Sequence, residues 1–167
     1  DLEGHGSVMT EPEKKPPMAV QLVEASHAKF TPGRDAAGGL FLVEDDGPNV
    51  ALFERAAKEA LGFAVYDKEG KVPGRTPKDD AWSTLVGAGR GLPKKKLPLR
   101  ITSHDGALVI DIGDQAGKAI VVTDEKWEVV LRSPVTFART NVTMPMVEPS
   151  TGGDIDRLFE VVNVAPQ

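Results

Sequence analysis

The chain has 167 residues and a formal net charge of −5, a size that suits one domain. Apolar residues make up 40% and aromatics only 5%, so Val, Leu, Ile and Ala must form the core, while the lack of cysteine excludes disulfides and thiolate metal sites and fits a reducing cytosol. No apolar run approaches the ~18 residues of a membrane span, and the acidic balance argues against a broad basic nucleic-acid face.

Asp1 to Val8 reads as an expression scar, with Met9 as the natural start, and Thr10 to Pro17 as a disordered arm of prolines and alternating charge. Met18, Val20, Leu22, Val23 and Phe30 predict a helix closed by Pro32-Gly33. Gly39 to Val43 is a short strand, and Asp45 to Pro48 is a turn. Asn49 is the expected N-cap of a helix from Val50 to Leu61 that ends near Gly62. After a loop through Gly70 and Pro73-Gly74, Thr76-Pro77 opens a helix carrying Trp82, Leu85 and Val86, which the run Gly87 to Gly91 stops.

Residues 97–139 then predict an antiparallel meander: strands Leu97 to Ser103, Ala107 to Ile112, Lys118 to Thr123 and Lys126 to Arg132, followed by an extended Ser133 to Arg139. Asp105-Gly106 between two apolar alternations is a primed-turn signal, because both central residues need positive φ. Leu99, Ile101, Leu108, Ile110, Ile120, Val122 and Val129 are expected on one buried face, covered by Leu22, Phe53, Leu61, Trp82 and Leu85 from the helices. A last short helix is expected near Asp154 to Val161. The fold class is α+β, with N-terminal helices packed on an antiparallel β-meander of four to five strands, as a single domain over residues 18–164 and with 165–167 as a tail or the start of a linker.

The chemistry-bearing patterns are few. Gly113 to Lys118 comes nearest to a phosphate-binding loop, yet it has three residues between its glycines, puts Ala119 where a magnesium-binding hydroxyl belongs, and lies between two strands. Gly87 to Gly91 follows a helix rather than opening one. Asp111, Asp114, Asp124, Glu125 and Lys126 are the residue types of a metal-dependent nuclease, although Asp114, Asp124 and Glu125 occupy turns where acids are ordinary. His27 and His104 are not spaced as metal ligands, and Ser103 beside His104 does not set up a nucleophile and its base. Neither catalytic residues, cofactor nor metal are therefore expected. Arg90, Lys94, Lys95, Lys96 and Arg100 place five positive charges in eleven positions with no acid among them, the best candidate for phosphate contacts. Trp82 and Trp127 are assigned to the core rather than to base stacking.

One likeness adds to this. Ile110-Asp111-Ile112-Gly113-Asp114, Ala119 to Thr123, Trp127 and Ser133-Pro134-Val135-Thr136-Phe137-Ala138-Arg139, continuing through Met144-Pro145-Met146, Gly152-Gly153, Ile155, Leu158-Phe159 and Asn163-Val164, resemble the region before the superfamily 3 helicase core in primase–helicase proteins of phages, prophages and mobile elements. The family's middle strand puts an aromatic before its Leu-Asp-Leu, where this chain has Val109. The resemblance implies a non-catalytic accessory domain in the bacterial host cytosol, with no membrane association. It would dock DNA, its own helicase core or other replication proteins, and form homo-oligomers through the parent protein. The alternatives are a standalone protein-interaction domain without nucleic-acid contact and, third, a metal-dependent nuclease.

Overall fold

The computed structural model describes residues 15–153, which form three helices, a mixed three-stranded sheet and a four-stranded antiparallel sheet. This is the expected α+β class, with the helices before the meander. The chain divides into two compact units, residues 15–46 with 51–96 and residues 47–50 with 97–153, where the sequence reads as one domain over 18–164. No helix of the described residues is long and apolar enough to cross a membrane.

In the first unit α1 spans Met18–Lys29 and buries Leu22 and Ser26, one turn apart on one face. The chain passes directly into β1, Phe30–Asp35, and returns as β2, Leu40–Glu44, in an antiparallel pair running from Phe30↔Glu44 to Arg34↔Leu40. The short β3, Val50–Ala51, falls where the chain re-enters this unit and leads to α2, Glu54–Glu69. Gly70 ends α2 at φ 65°, a left-handed cap that glycine adopts without steric cost. Then come α3, Arg75–Ala88, a 3-10 turn at Gly89–Gly91, and β4, Lys94–Lys95, parallel to β1. Leu22, Phe30, Leu40, Leu42, Ala57, Leu61, Trp82 and Leu85 close a core between the helices and the β1–β2 pair. Most of the expected helical core residues are thus buried, but against this small sheet.

Several expected boundaries move. Pro32-Gly33 does not close a helix but lies inside β1. A proline is tolerated there because β4 reaches only Arg34 and Asp35, leaving that side of β1 a free edge at Pro32. Gly33 sits opposite Phe41, and a Cβ at Gly33 would overlap the Phe41 ring. Phe41 in turn packs on Phe53, with ring centroids 6.1 Å apart. The second helix starts at Glu54 rather than Val50 and runs past Gly62, because Leu61, Ala64 and Val65 extend its apolar stripe. The third opens at Arg75 after Gly74, so Thr76 is not its cap, and Pro77 falls in the first turn where its missing N–H costs nothing.

In the second unit β5, Ile101–His104, β6, Ala107–Asp111, β7, Ala119–Val122, and β8, Trp127–Val130, pair in sequence order and antiparallel, and β9, Phe137–Ala138, follows. Asp105 at φ 48° and Gly106 at φ 79° form the expected primed two-residue turn between β5 and β6. Leu97 to Arg100 fall outside β5. Asn49 caps no helix: its Nδ2 donates to the Ser133 carbonyl at 3.0 Å, and its Oδ1 accepts from Thr136 Oγ1 at 2.6 Å.

The expected face is only partly dry, with Ile120 buried and Ile110, Val122 and Val129 half-buried, and the opposite face is buried as well. Val109, Ala119 and Phe137 are fully buried, joined by Val121, Val130 and Val135. Leu99 is 63% exposed, Ile101 56% and Leu108 40%, and Trp127, expected in the core, is 40% exposed. The phase of the alternation was right. Both phases carry apolar residues, so alternation alone does not say how completely each is covered. The expected helix near Asp154 to Val161 lies outside the described residues.

Candidate nucleic-acid interface and the Asp111–Arg139 clasp

The five candidate cations fall in both units, four in the first and Arg100 in the second. Arg90 ends the 3-10 turn after α3, Lys94 and Lys95 form β4 at the end of the strand order β2-β1-β4, and Lys96 follows directly. All four side chains are exposed, and none has an ion-pair partner among the described residues. Arg34 Nη1 donates to the Arg90 carbonyl at 2.6 Å and fixes the backbone that carries the cluster. Asp35, opposite Lys95 in the register, turns its Oδ1 to the Gly39 N–H at 2.7 Å. The result is a basic edge on the first unit.

Arg100 belongs to the second unit and is not free for phosphate. Its Nη1 donates to the carbonyls of Asp111 and Ile112 at 3.2 Å each, and its Nη2 to that of Met144 at 2.6 Å. This explains Gly113: at φ 82°, a Cβ there would meet the Arg100 guanidinium and stand 2.9 Å from the Met144 oxygen.

The residues that carried the family likeness meet at a buried ion pair. Asp111 is 1% exposed, and Arg139 holds it with two parallel bonds, Nε to Oδ2 at 2.8 Å and Nη2 to Oδ1 at 2.6 Å. Gly113 N–H adds a third bond to Oδ1 at 3.1 Å, and Arg139 Nη1 reaches the Asp114 carbonyl. Ser133, also buried, accepts from the Val135 N–H at 3.1 Å and donates to the Val135 carbonyl at 2.7 Å, which shapes the approach to β9. The Ile-Asp-Ile-Gly-Asp and Pro-Val-Thr-Phe-Ala-Arg runs therefore form one structural clasp. Sequence reading missed it, since the partners stand 28 residues apart; the available signal was a lone Asp inside an apolar strand, which requires a partner if buried.

The clasp also accounts for the other patterns. The Asp111 carboxylate is engaged by Arg139, Asp114 Oδ1 accepts the Lys118 N–H at 3.0 Å, and among the described residues no three His, Asp or Glu side chains are grouped to hold a metal ion. Gly113 to Lys118 connects β6 to β7, and Gly117, at φ 77°, lets the backbone pass Pro48, whose Cα would lie 2.8 Å from an added Cβ. On the first unit a broad hollow of about 700 Å³ between α2 and α3 is lined by Arg55, Lys58, Arg75 and Lys78, yet Lys58 is paired with Glu54 at 2.6 Å and Asp79 at 2.8 Å, and Arg55 with Glu59 at 3.2 Å. Hydrogen bonds donated to the Asp79 and Glu54 carboxylates hold the Lys58 ammonium above its ordinary pKa, and the same contact with Lys58 holds the Asp79 carboxyl below its own. His27 and His104 are both exposed and far apart in sequence, His104 lying 3.3 Å from Asp105. No protein-family model, curated protein or solved structure matches the chain.

Proposed function

We propose that this chain is a non-catalytic accessory domain of a phage-type primase–helicase, acting in the bacterial host cytosol and docking DNA through the edge formed by Arg90, Lys94, Lys95 and Lys96. The observation that carries it is this group of four exposed cations with no acid bound to them among the described residues, where more than half of the other described cations are ion-paired. The likeness to the region before a superfamily 3 helicase core supplies the context: the partners are the parent protein's own helicase core and other replication proteins, and homo-oligomers form through that parent. Roughly three to four phosphate contacts against a net charge of −5 give weak, strongly salt-dependent binding, on the order of micromolar or poorer at physiological salt. The chain needs no cofactor in this role, and calorimetry with magnesium and micromolar ATP should give no saturable heat.

The test is a titration of labelled single-stranded and forked DNA against the parent and the Lys94→Glu, Lys95→Glu, Lys96→Glu triple variant at low and moderate salt. Loss of binding with an unchanged melting temperature supports the basic edge. Equal binding by both rejects it. No binding by the parent at low salt favours the second reading, a protein-interaction domain without nucleic-acid contact, which the exposed Ile101, Leu108 and Trp127 on the β5–β8 sheet support.

A further inference from the structure

Strand β5 is an edge of its sheet, with β6 on one side and no strand on the other among the described residues. The register fixes where its backbone groups point. Asp111 N–H donates to the Arg100 carbonyl at 2.8 Å, so in the antiparallel alternation Arg100, Thr102 and His104 turn their backbone groups to β6, while Ile101 and Ser103 turn theirs outward. There the N–H groups of Ile101 and Ser103 and the Ile101 carbonyl have no hydrogen-bond partner among the described residues, and the Ser103 carbonyl has a loose contact with Thr102 Oγ1 at 3.4 Å.

An edge of this kind accepts another strand unless charge or proline prevents it. The opposite edge, β8, is charged: Glu128 stands on the strand and is ion-paired at 3.2 Å with Lys126 just before it. Ile101 to His104 include no Asp, Glu, Lys, Arg or Pro. The side chains nearest the open groups are apolar and uncovered, Ile101 at 56% and Leu108, opposite Ser103 on β6, at 40%.

We propose that β5 is the docking edge for β5 of a second copy of this chain, paired antiparallel about a two-fold axis at Thr102. In that register Ile101 of each copy faces Ser103 of the other and the two exchange their outward N–H···O bonds, so every open group of the strand is used, and Thr102 meets Thr102 across the axis. The side chains fit as well. The row Ile120, Ile110, Ile101 runs on into Ser103 of the second copy, and the row Val122, Leu108, Ser103 into its Ile101, so each large edge residue lies against a small one. Arg100 faces His104 of the second copy, with its guanidinium already held by the carbonyls of Asp111, Ile112 and Met144. A β8 edge in the same place would bring Lys126 and Glu128 with it, whereas β5 brings a neutral strand and closes the assembly at two copies. A contact of this length falls short of the ~1,000 Å² that marks a stable interface, so the dimer forms only at high protein concentration.

Sedimentation of the full chain should show a monomer at micromolar and a dimer at millimolar concentration. As the dimer fills, the Ile101 and Ser103 amides should exchange with deuterium more slowly, while the Thr102 amide, already turned to β6, changes little. Ile101→Lys sets like charges against each other beside the axis and should stay monomeric with the parent's melting temperature. The chain has no cysteine, so Thr102→Cys supplies a second reading. Its thiol would meet its own copy with Cα atoms about 4.5 Å apart, within disulfide reach, and should cross-link far faster under mild oxidation than Glu125→Cys in the exposed turn between β7 and β8. A monomer at every concentration overturns the proposal. So does a dimer that leaves Ile101 and Ser103 unprotected, that survives Ile101→Lys, or that cross-links equally through both cysteines.

Discussion

The helical unit and the sheet unit meet the same shortage of large aromatic side chains in different ways. The first concentrates them: Phe30, Phe41 and Trp82 are buried with Leu22, Leu42 and Leu61, and its ion pairs stay on the surface. The second buries Phe137 over the small residues Val109 and Ala119, and fastens the strand ends with a carboxylate and a guanidinium taken out of water. An apolar core degrades gradually as atoms are removed, because neighbours relax into the space. A buried ion pair does not, because losing one partner strands the other's charge.

The comparison is broken most directly at Arg139. Arg139→Ala should destabilise the sheet unit by about 3–5 kcal/mol, read by denaturant unfolding followed through Trp127. Arg139→Leu with Asp111→Leu should recover much of that, since replacing both partners by apolar groups removes the stranded charge; equal loss in the single and double variants would show that the pair adds only packing. Next in size is Leu61→Ala, a cavity in the helical core, at about 2–4 kcal/mol with the melting of Trp82 as the measurement. Gly33→Ala should cost about 1–3 kcal/mol by forcing the Phe41 ring aside, and Phe41→Leu in the same chain should relieve part of it in a double-mutant cycle.

The smallest effect belongs to the surface lattice of α2 and α3. The raised pKa of Lys58 means that its contribution is present below the ordinary 10.5 and is lost as pH rises through the raised value. The lowered pKa of Asp79 means that its contribution is present above the ordinary 3.8 and fades as pH falls through the lowered value. Lys58→Met should flatten both limbs of a melting-temperature profile and leave the neutral plateau nearly unchanged, since exposed pairs are strongly screened.

What the sequence could reveal follows from range. The α1 helix, the Asp105-Gly106 turn and the glycine stop after α3 are set by neighbours within a few positions, and each was legible. The strand β1 was not: Phe-Thr-Pro-Gly-Arg-Asp has the composition of a turn, and only the distant Phe41 explains a glycine there. The burial of the sheet's second face was not legible, because Asp111 marks that face as wet unless one knows that Arg139 returns to neutralise it. The basic candidates divided for a similar reason. Arg90 and Lys94 to Lys96 are what they seem locally, whereas Arg100 is committed by Met144, 44 residues away.

The short strand β4 has a consequence for how copies of this chain behave together. As the last strand of its sheet it has, among the described residues, no partner on its outer edge, the kind of template on which another chain can add a strand. Two adjacent lysines at that edge make such addition unfavourable, because an incoming copy would bring its own lysines into register with them. The group proposed to meet phosphate would thus also guard against zippering. The guard needs charge of one sign rather than a positive charge, so three glutamates should abolish the proposed DNA contact while keeping the chains apart at this edge, and valines at Lys94 and Lys95 should remove the guard.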